Sequence, residues 1–197
     1  MFSKIVRRTH MYLALFLTPW VLVYAVSTMV MNHREFFREI YGGAAPAWVK
    51  ETERPYRAAS PADAPPQAVG AELLREVGLD GAYNARRDAA GVVTVVRQDP
   101  VTPKRIVYRS AEGTLVVERE QFRMPAFLER MHRRRGYQHP FVLEDTWAFS
   151  VDAFIVAMLF WFASGLWMWW EMGATRKTGA LFAAGGLALF ALFLFTI

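Results

Sequence analysis

Three stretches of this sequence, Met11 to Met31, Trp147 to Trp170 and Thr178 to Ile197, are long and apolar enough to cross a bilayer. A hydrocarbon core about 30 Å thick takes roughly 20 residues of helix at 1.5 Å rise each. Lipid offers no partner to a bare N–H or C=O, so such a stretch must bond its backbone internally, as a helix does. The first and third carry no Asp, Glu, Lys or Arg, and the second carries only Asp152, near its start. The chain is therefore expected to be a membrane protein.

Residues 32–146 read as ordinary globular sequence, with 18 Lys/Arg against 16 Asp/Glu out of totals of 23 and 18. Lys4, Arg7, Arg8, Arg176 and Lys177, offset by Asp152 and Glu171, raise the net charge to +5. These residues flank the apolar stretches, so the basic balance speaks of topology, and no nucleic-acid partner is expected. There is no cysteine. Disulfides, thiol catalysis, iron–sulfur clusters and covalent haem attachment are thereby excluded.

The first stretch is too long for a cleaved leader, and Met31-Asn32-His33-Arg34 is a poor cleavage site, so it reads as a signal anchor. The basic residues ahead of it, and Arg176 and Lys177 between the other two stretches, place those segments in the cytoplasm. Residues 32–146 then lie in the periplasm of a bacterial inner membrane. The arginines at 130 and 133–135 do not overrule this, because a loop of that length is translocated largely regardless of charge.

Residues 32–41 continue outward as a short helix, and the prolines from Pro55 to Pro66 make an extended linker. Val69, Leu73, Leu74 and Val77 fall at helical spacing within residues 67–77. Strand patterns follow at 82–87, 91–97, 105–109 and 115–119, with a turn at Ala111-Glu112-Gly113. Helical periodicity returns from Phe122 to Arg134. The expected fold is three transmembrane helices plus a small α+β module, one helix on three or four antiparallel strands. Its segments are 1–31 (basic start and first span), 32–66 (helix and linker), 67–122 (module), 123–146 (juxtamembrane helix), 147–170 (second span), 171–177 (loop) and 178–197 (third span).

Three local motifs carry a family resemblance. They are Arg8-Thr9-His10-Met11-Tyr12-Leu13, Leu128-Glu129-Arg130-Met131-His132-Arg133 and Ser164-Gly165-Leu166-Trp167-Met168-Trp169-Trp170. With the hairpin around YRSAEGTLVVE, they resemble the PepSY-associated transmembrane proteins. Larger members are similar to inner-membrane ferric-siderophore reductases that hold haem b between helices through histidines. This chain has fewer spans, and Ser27-Thr28 stands where those proteins close the first helix with Thr-Gly.

The resemblance makes His33, His132, His10 and His139 the candidate haem ligands, with haem b the candidate cofactor; no free metal site and no catalytic residue is indicated. His10 and His33 lie 23 residues apart, about 34 Å along one helix, so they cannot share a haem. His33 and His132 fall near one membrane face and could pair, whereas His10 would need a second chain or a partner subunit. The opposing expectation is that these are interfacial imidazoles bonded to headgroups or backbone. Asp152 reads either as a first-turn acid at the helix N-terminus or as a proton- or propionate-linked group. The run from His132 to Arg135 reads as a solvated, headgroup-facing stretch. The acids of the module read as surface charges, Trp20 as packed inside the bundle, and Gly165, Gly185 and Gly186 as sites of close helix approach. No hydrolase, phosphate-loop or dinucleotide motif is present.

Three functions remain in play. The first is an accessory or binding subunit contacting the bilayer and another membrane or periplasmic protein, or a second copy. The second is a haem b electron carrier in iron uptake or respiration. The third is a restraint on periplasmic peptidases.

Overall fold

The computed structural model describes residues 2–43, 45–61, 63–134, 136–138 and 141–196. Three helices are long and apolar enough to span a membrane: α1 (Phe2–Asn32), α5 (Val142–Glu171) and α6 (Arg176–Thr196), the last preceded by a single 3-10 turn. α1 and α5 outrun at both ends the apolar stretches that announce them, and α6 begins two residues before its own, because backbone bonding continues a helix beyond its apolar side chains. Between α1 and α5 lie α2 (Arg34–Ile40), β1 (Trp48–Pro55), α3 (Pro66–Glu76), β2 (Tyr83–Arg87), β3 (Val93–Arg97), β4 (Lys104–Arg109), β5 (Thr114–Glu120) and α4 (Met124–Arg133).

The chain divides into two compact units. One holds residues 1–21 and 151–197, the larger parts of α1 and α5 with all of α6. Inside it Trp20 stacks on Phe154, with ring centroids 6.3 Å apart, and Phe2 meets Trp167 edge-on at 5.3 Å. α6 buries none of its residues within the chain. A Cβ on Gly185 or Gly186 would meet nothing within 4 Å, so these two glycines do not bring helices together here. Gly165 does: a Cβ there would lie 3.4 Å from His10 Cε1.

The other unit, residues 22–150, contains the sheet. Its five strands are all antiparallel in the order β1-β5-β4-β3-β2. One face carries Val93, Val95, Ile106, Tyr108 and Leu115, on which α3 seats Val69, Leu73 and Leu74. Period-2 alternation in the strands and i, i+4 spacing in the helix supply these two matching faces. Gly70 permits the contact, since a Cβ there would come within 2.8 Å of the Tyr83 ring and 2.9 Å of Ala85 Cβ. Gly113, at φ 60°, makes the tight turn between β4 and β5.

One strand is additional to the four expected. β1 lies inside residues 32–66, where only a helix and linker were anticipated, and pairs with β5 along its length, with a register shift between Lys50 and Thr52. Half of its sequence, WVKETERP, is charged, as suits an edge strand, and charged edge strands resist pairing with other chains.

Glu72 corrects the reading of the module's acids as surface charges. Its carboxylate accepts hydrogen bonds from the Tyr56 hydroxyl (2.8 Å), the Ala59 N–H (2.6 Å), the Ser60 N–H (3.0 Å) and the Ser60 hydroxyl (2.5 Å). Partial burial would raise its pKa, but these donors outweigh it and hold the carboxyl at about 2 against an ordinary 4.5. Burial first, then the Glu72 contact, pushes the Tyr56 hydroxyl up to about 12. A carboxyl lowered on folding stabilises above its unfolded pKa, and that stability fades as pH falls from 4.5 toward 2. Glu72→Gln should therefore destabilise the protein by about 2 kcal/mol near neutrality and flatten its stability profile in that acid window. Thermal unfolding in detergent at a series of pH values reads both; an unchanged acid slope would refute the assignment.

Candidate functional site

His10 and His132 each meet a serine. His10 Nδ1 lies 2.9 Å from Ser164 Oγ, and its ring stacks on Trp161 at 5.3 Å. His132 Nδ1 lies 2.8 Å from Ser27 Oγ, with its ring edge-on to Tyr24 at 5.1 Å. Ser164 donates its own hydroxyl to the Trp161 carbonyl (2.8 Å) and Ser27 donates to the Tyr24 carbonyl (3.0 Å). Each serine oxygen must then accept from the imidazole, which assigns the proton of both rings to Nδ1. The three motifs thus resolve into two helix–helix links: the first bonds to the third, and the second bonds to Ser27 of α1.

His33 is exposed and stands at the N-terminal cap of α2. His139 lies outside the described residues. No hydrogen bond or ring contact joins two of the described histidines. A bis-histidine haem needs two imidazoles facing one iron. Nδ1 donation to serine leaves the Nε2 lone pair of His10 and of His132 as the atom that would hold an iron, and no electron-transfer step follows from the described residues.

The larger feature is an open cavity of about 600 Å3 in the unit of residues 22–150. The ends of β3 and β5, the turn at 98–103, α4 and the first turn of α5 wall it. Four arginines (Arg97, Arg130, Arg133, Arg134) and four acids (Asp99, Glu120, Glu129, Glu144) line it. Arg130 ties α4 to the sheet through Glu120 (2.5 Å) and the Pro100 carbonyl (3.1 Å), while its Nη2 is buried without a hydrogen bond. Asp99 shapes the turn. It accepts the N–H groups of Val101 and Thr102 (2.9 Å each) and the Arg97 guanidinium (2.7 Å). Burial works against its charge, yet these donors keep its pKa below the usual carboxylate range.

Arg134 does not belong to a solvated run. Its Nε lies 3.5 Å from Glu144 Oε1 and its guanidinium 5.4 Å from the Trp147 ring. Glu144 is 1% exposed, and neither Nε nor Oε1 makes a hydrogen bond. Arg133 is exposed, and Arg135 lies outside the described residues. Glu144 and Asp145, rather than Asp152, occupy the first turn of α5. Asp152 falls ten residues in, so it is not a cap. Sequence periodicity gave no sign of Glu144, because an acid just ahead of an apolar run reads as a helix start and nothing more.

Among the described residues no cluster of three or more His, Cys, Asp or Glu could hold a metal ion. What the cavity offers is dense, balanced charge with donors and acceptors side by side. That suits a ligand carrying both, such as the backbone and side chains of a peptide segment. A family model described as PepSY_TM-like matches residues 1–197. No curated protein and no solved structure matches the chain.

Proposed function

The chain belongs to the PepSY_TM-like family, and from that premise we propose that this membrane protein is an accessory subunit of the bacterial inner membrane, its α+β module binding a partner protein in the periplasm. The observation that carries this reading is the charge-balanced cavity between the sheet end and α4. The basic residues beside the short cytoplasmic segments support the orientation. The serine-bound histidines act as links between helices. Interhelical hydrogen bonds of this kind contribute about 0.6 to 1.7 kcal/mol each in a membrane.

The lack of native cysteine makes the test clean. Ala89→Cys, in the exposed turn between β2 and β3, should label with a membrane-impermeant maleimide from the periplasmic side of intact cells. Gln138→Cys, on the cavity wall, should carry a photocrosslinker onto one discrete polypeptide in native membranes. Labelling of Ala89→Cys only after permeabilisation would overturn the orientation. Absence of any adduct from Gln138→Cys would overturn the partner-binding reading. A haem b band in the reduced-minus-oxidised spectrum of the purified chain would bring the electron-carrier reading forward instead.

A further inference from the structure

A second groove, of about 380 Å3, opens where α1 ends and α2 begins. Val30 and Met31 from the last turn of α1 form its apolar wall, with Phe37 of α2 beside them. Arg34, Arg38 and Arg123 supply its polar wall. Val30 and Met31 belong to a membrane span, so covalent continuity sets the groove where acyl chains give way to headgroups.

The lining is cationic. Three arginines face one acid, Glu129, and its Oε1 already takes both Arg34 (3.1 Å) and Arg133 (3.2 Å). Two guanidiniums share that one carboxylate oxygen, which leaves one positive charge in excess across these three described residues. Arg38 pairs with Glu35, and the Arg123 guanidinium sits 5.3 Å over the Tyr41 ring. On α2, Arg34 and Arg38 stand one turn apart, and so do Phe36 and Ile40, which are 59% and 61% exposed. A short helix with a cationic pair and a bare apolar pair, joined to the end of a span, has the composition of an interfacial element.

We propose that this groove binds an anionic phospholipid of the phosphatidylglycerol class. The phosphodiester would lie against Arg34, Arg38 and Arg123, and the acyl chains would lie along Val30, Met31 and Phe37. A guanidinium matches a phosphate with two parallel hydrogen bonds, whereas a zwitterionic lipid brings its own cation to the same surface. The inference is independent of the partner-binding cavity, with which the groove shares only the wall at Pro46, Ala126 and Glu129.

Native mass spectrometry of the full chain, released from detergent with equal phosphatidylglycerol and phosphatidylcholine, tests it. The wild type should retain phosphatidylglycerol selectively. The triple variant R34Q/R38Q/R123Q should bind it at least about tenfold more weakly. A control with the same charge change at exposed sites, R57Q/R75Q/R86Q, should match wild type. Should the first triple not fold, Phe37→Ser, on the groove's apolar wall, should also weaken retention. Four results would each overturn the proposal: equal binding of the two lipids, equal loss in the control, displacement of the lipid by inorganic phosphate alone, or a bound polypeptide in place of lipid.

Discussion

Arg134→Met should destabilise the protein by about 3 kcal/mol, and adding Glu144→Leu should recover most of that loss. The reason is the asymmetry of buried ion pairs. Forming one is near neutral, because desolvating two charges offsets their attraction, but removing one partner strands the other charge away from water. Here Glu144 is almost fully enclosed, and its Oε1 has no hydrogen bond to fall back on. The guanidinium of Arg134, at 3.5 Å, is its ion-pair partner and also covers Trp147. Melting midpoints of the two variants in one detergent decide the matter. If the double variant is no more stable than the single, the loss comes from packing and the charge argument fails. The pair fastens the residue after α4 to the first turn of α5, and both residues line the cavity. Crosslinking from Gln138→Cys should therefore fall in the single variant and return in the double.

Leu73→Ala should cost about 3 kcal/mol, as large-to-small changes in a closed core do. Leu73 is 0% exposed and sits among Val69, Val93, Val95, Ile106 and Leu115. The void cannot collapse readily. α3 already touches the sheet at Gly70, where no atom separates helix from strand. The same change bears on function, because α3 rests on β2 and β3, and Asn84, Val96 and Arg97 of those strands wall the cavity. Thermal unfolding read through the sheet's circular dichroism measures the effect. A loss under about 1 kcal/mol would mean that the core is looser than its burial implies.

How much of this was legible beforehand follows from the range over which each signal acts. The strands β3, β4 and β5 and the helix α3 were readable because alternation and i, i+4 spacing are local properties of GVVTVVR, RIVYR, LVVER and QAVGAELLREV. β1 was not, since WVKETERP is charged for the sake of its edge, and only pairing with β5 makes it a strand. Glu72 looked like any acid on a helix, and its four donors come from residues 56–60, across a stretch of prolines. Ser27 and Ser164 stood inside or beside quoted motifs, yet a serine at helical spacing gives no hint that an imidazole 105 or 154 residues away will meet it.

The membrane character of this chain is a sum over about twenty consecutive side chains, which lipid reads directly, so composition alone decided it. The cavity, the arginine-rich groove and the serine–imidazole links depend on which segments pack beside which. A guanidinium on α4 or just beyond its end acquires its meaning from a glutamate ten residues away in either direction, Glu120 for Arg130 and Glu144 for Arg134. Such pairings are fixed by burial and hydrogen-bond geometry in three dimensions, a constraint to which hydropathy and periodicity are blind.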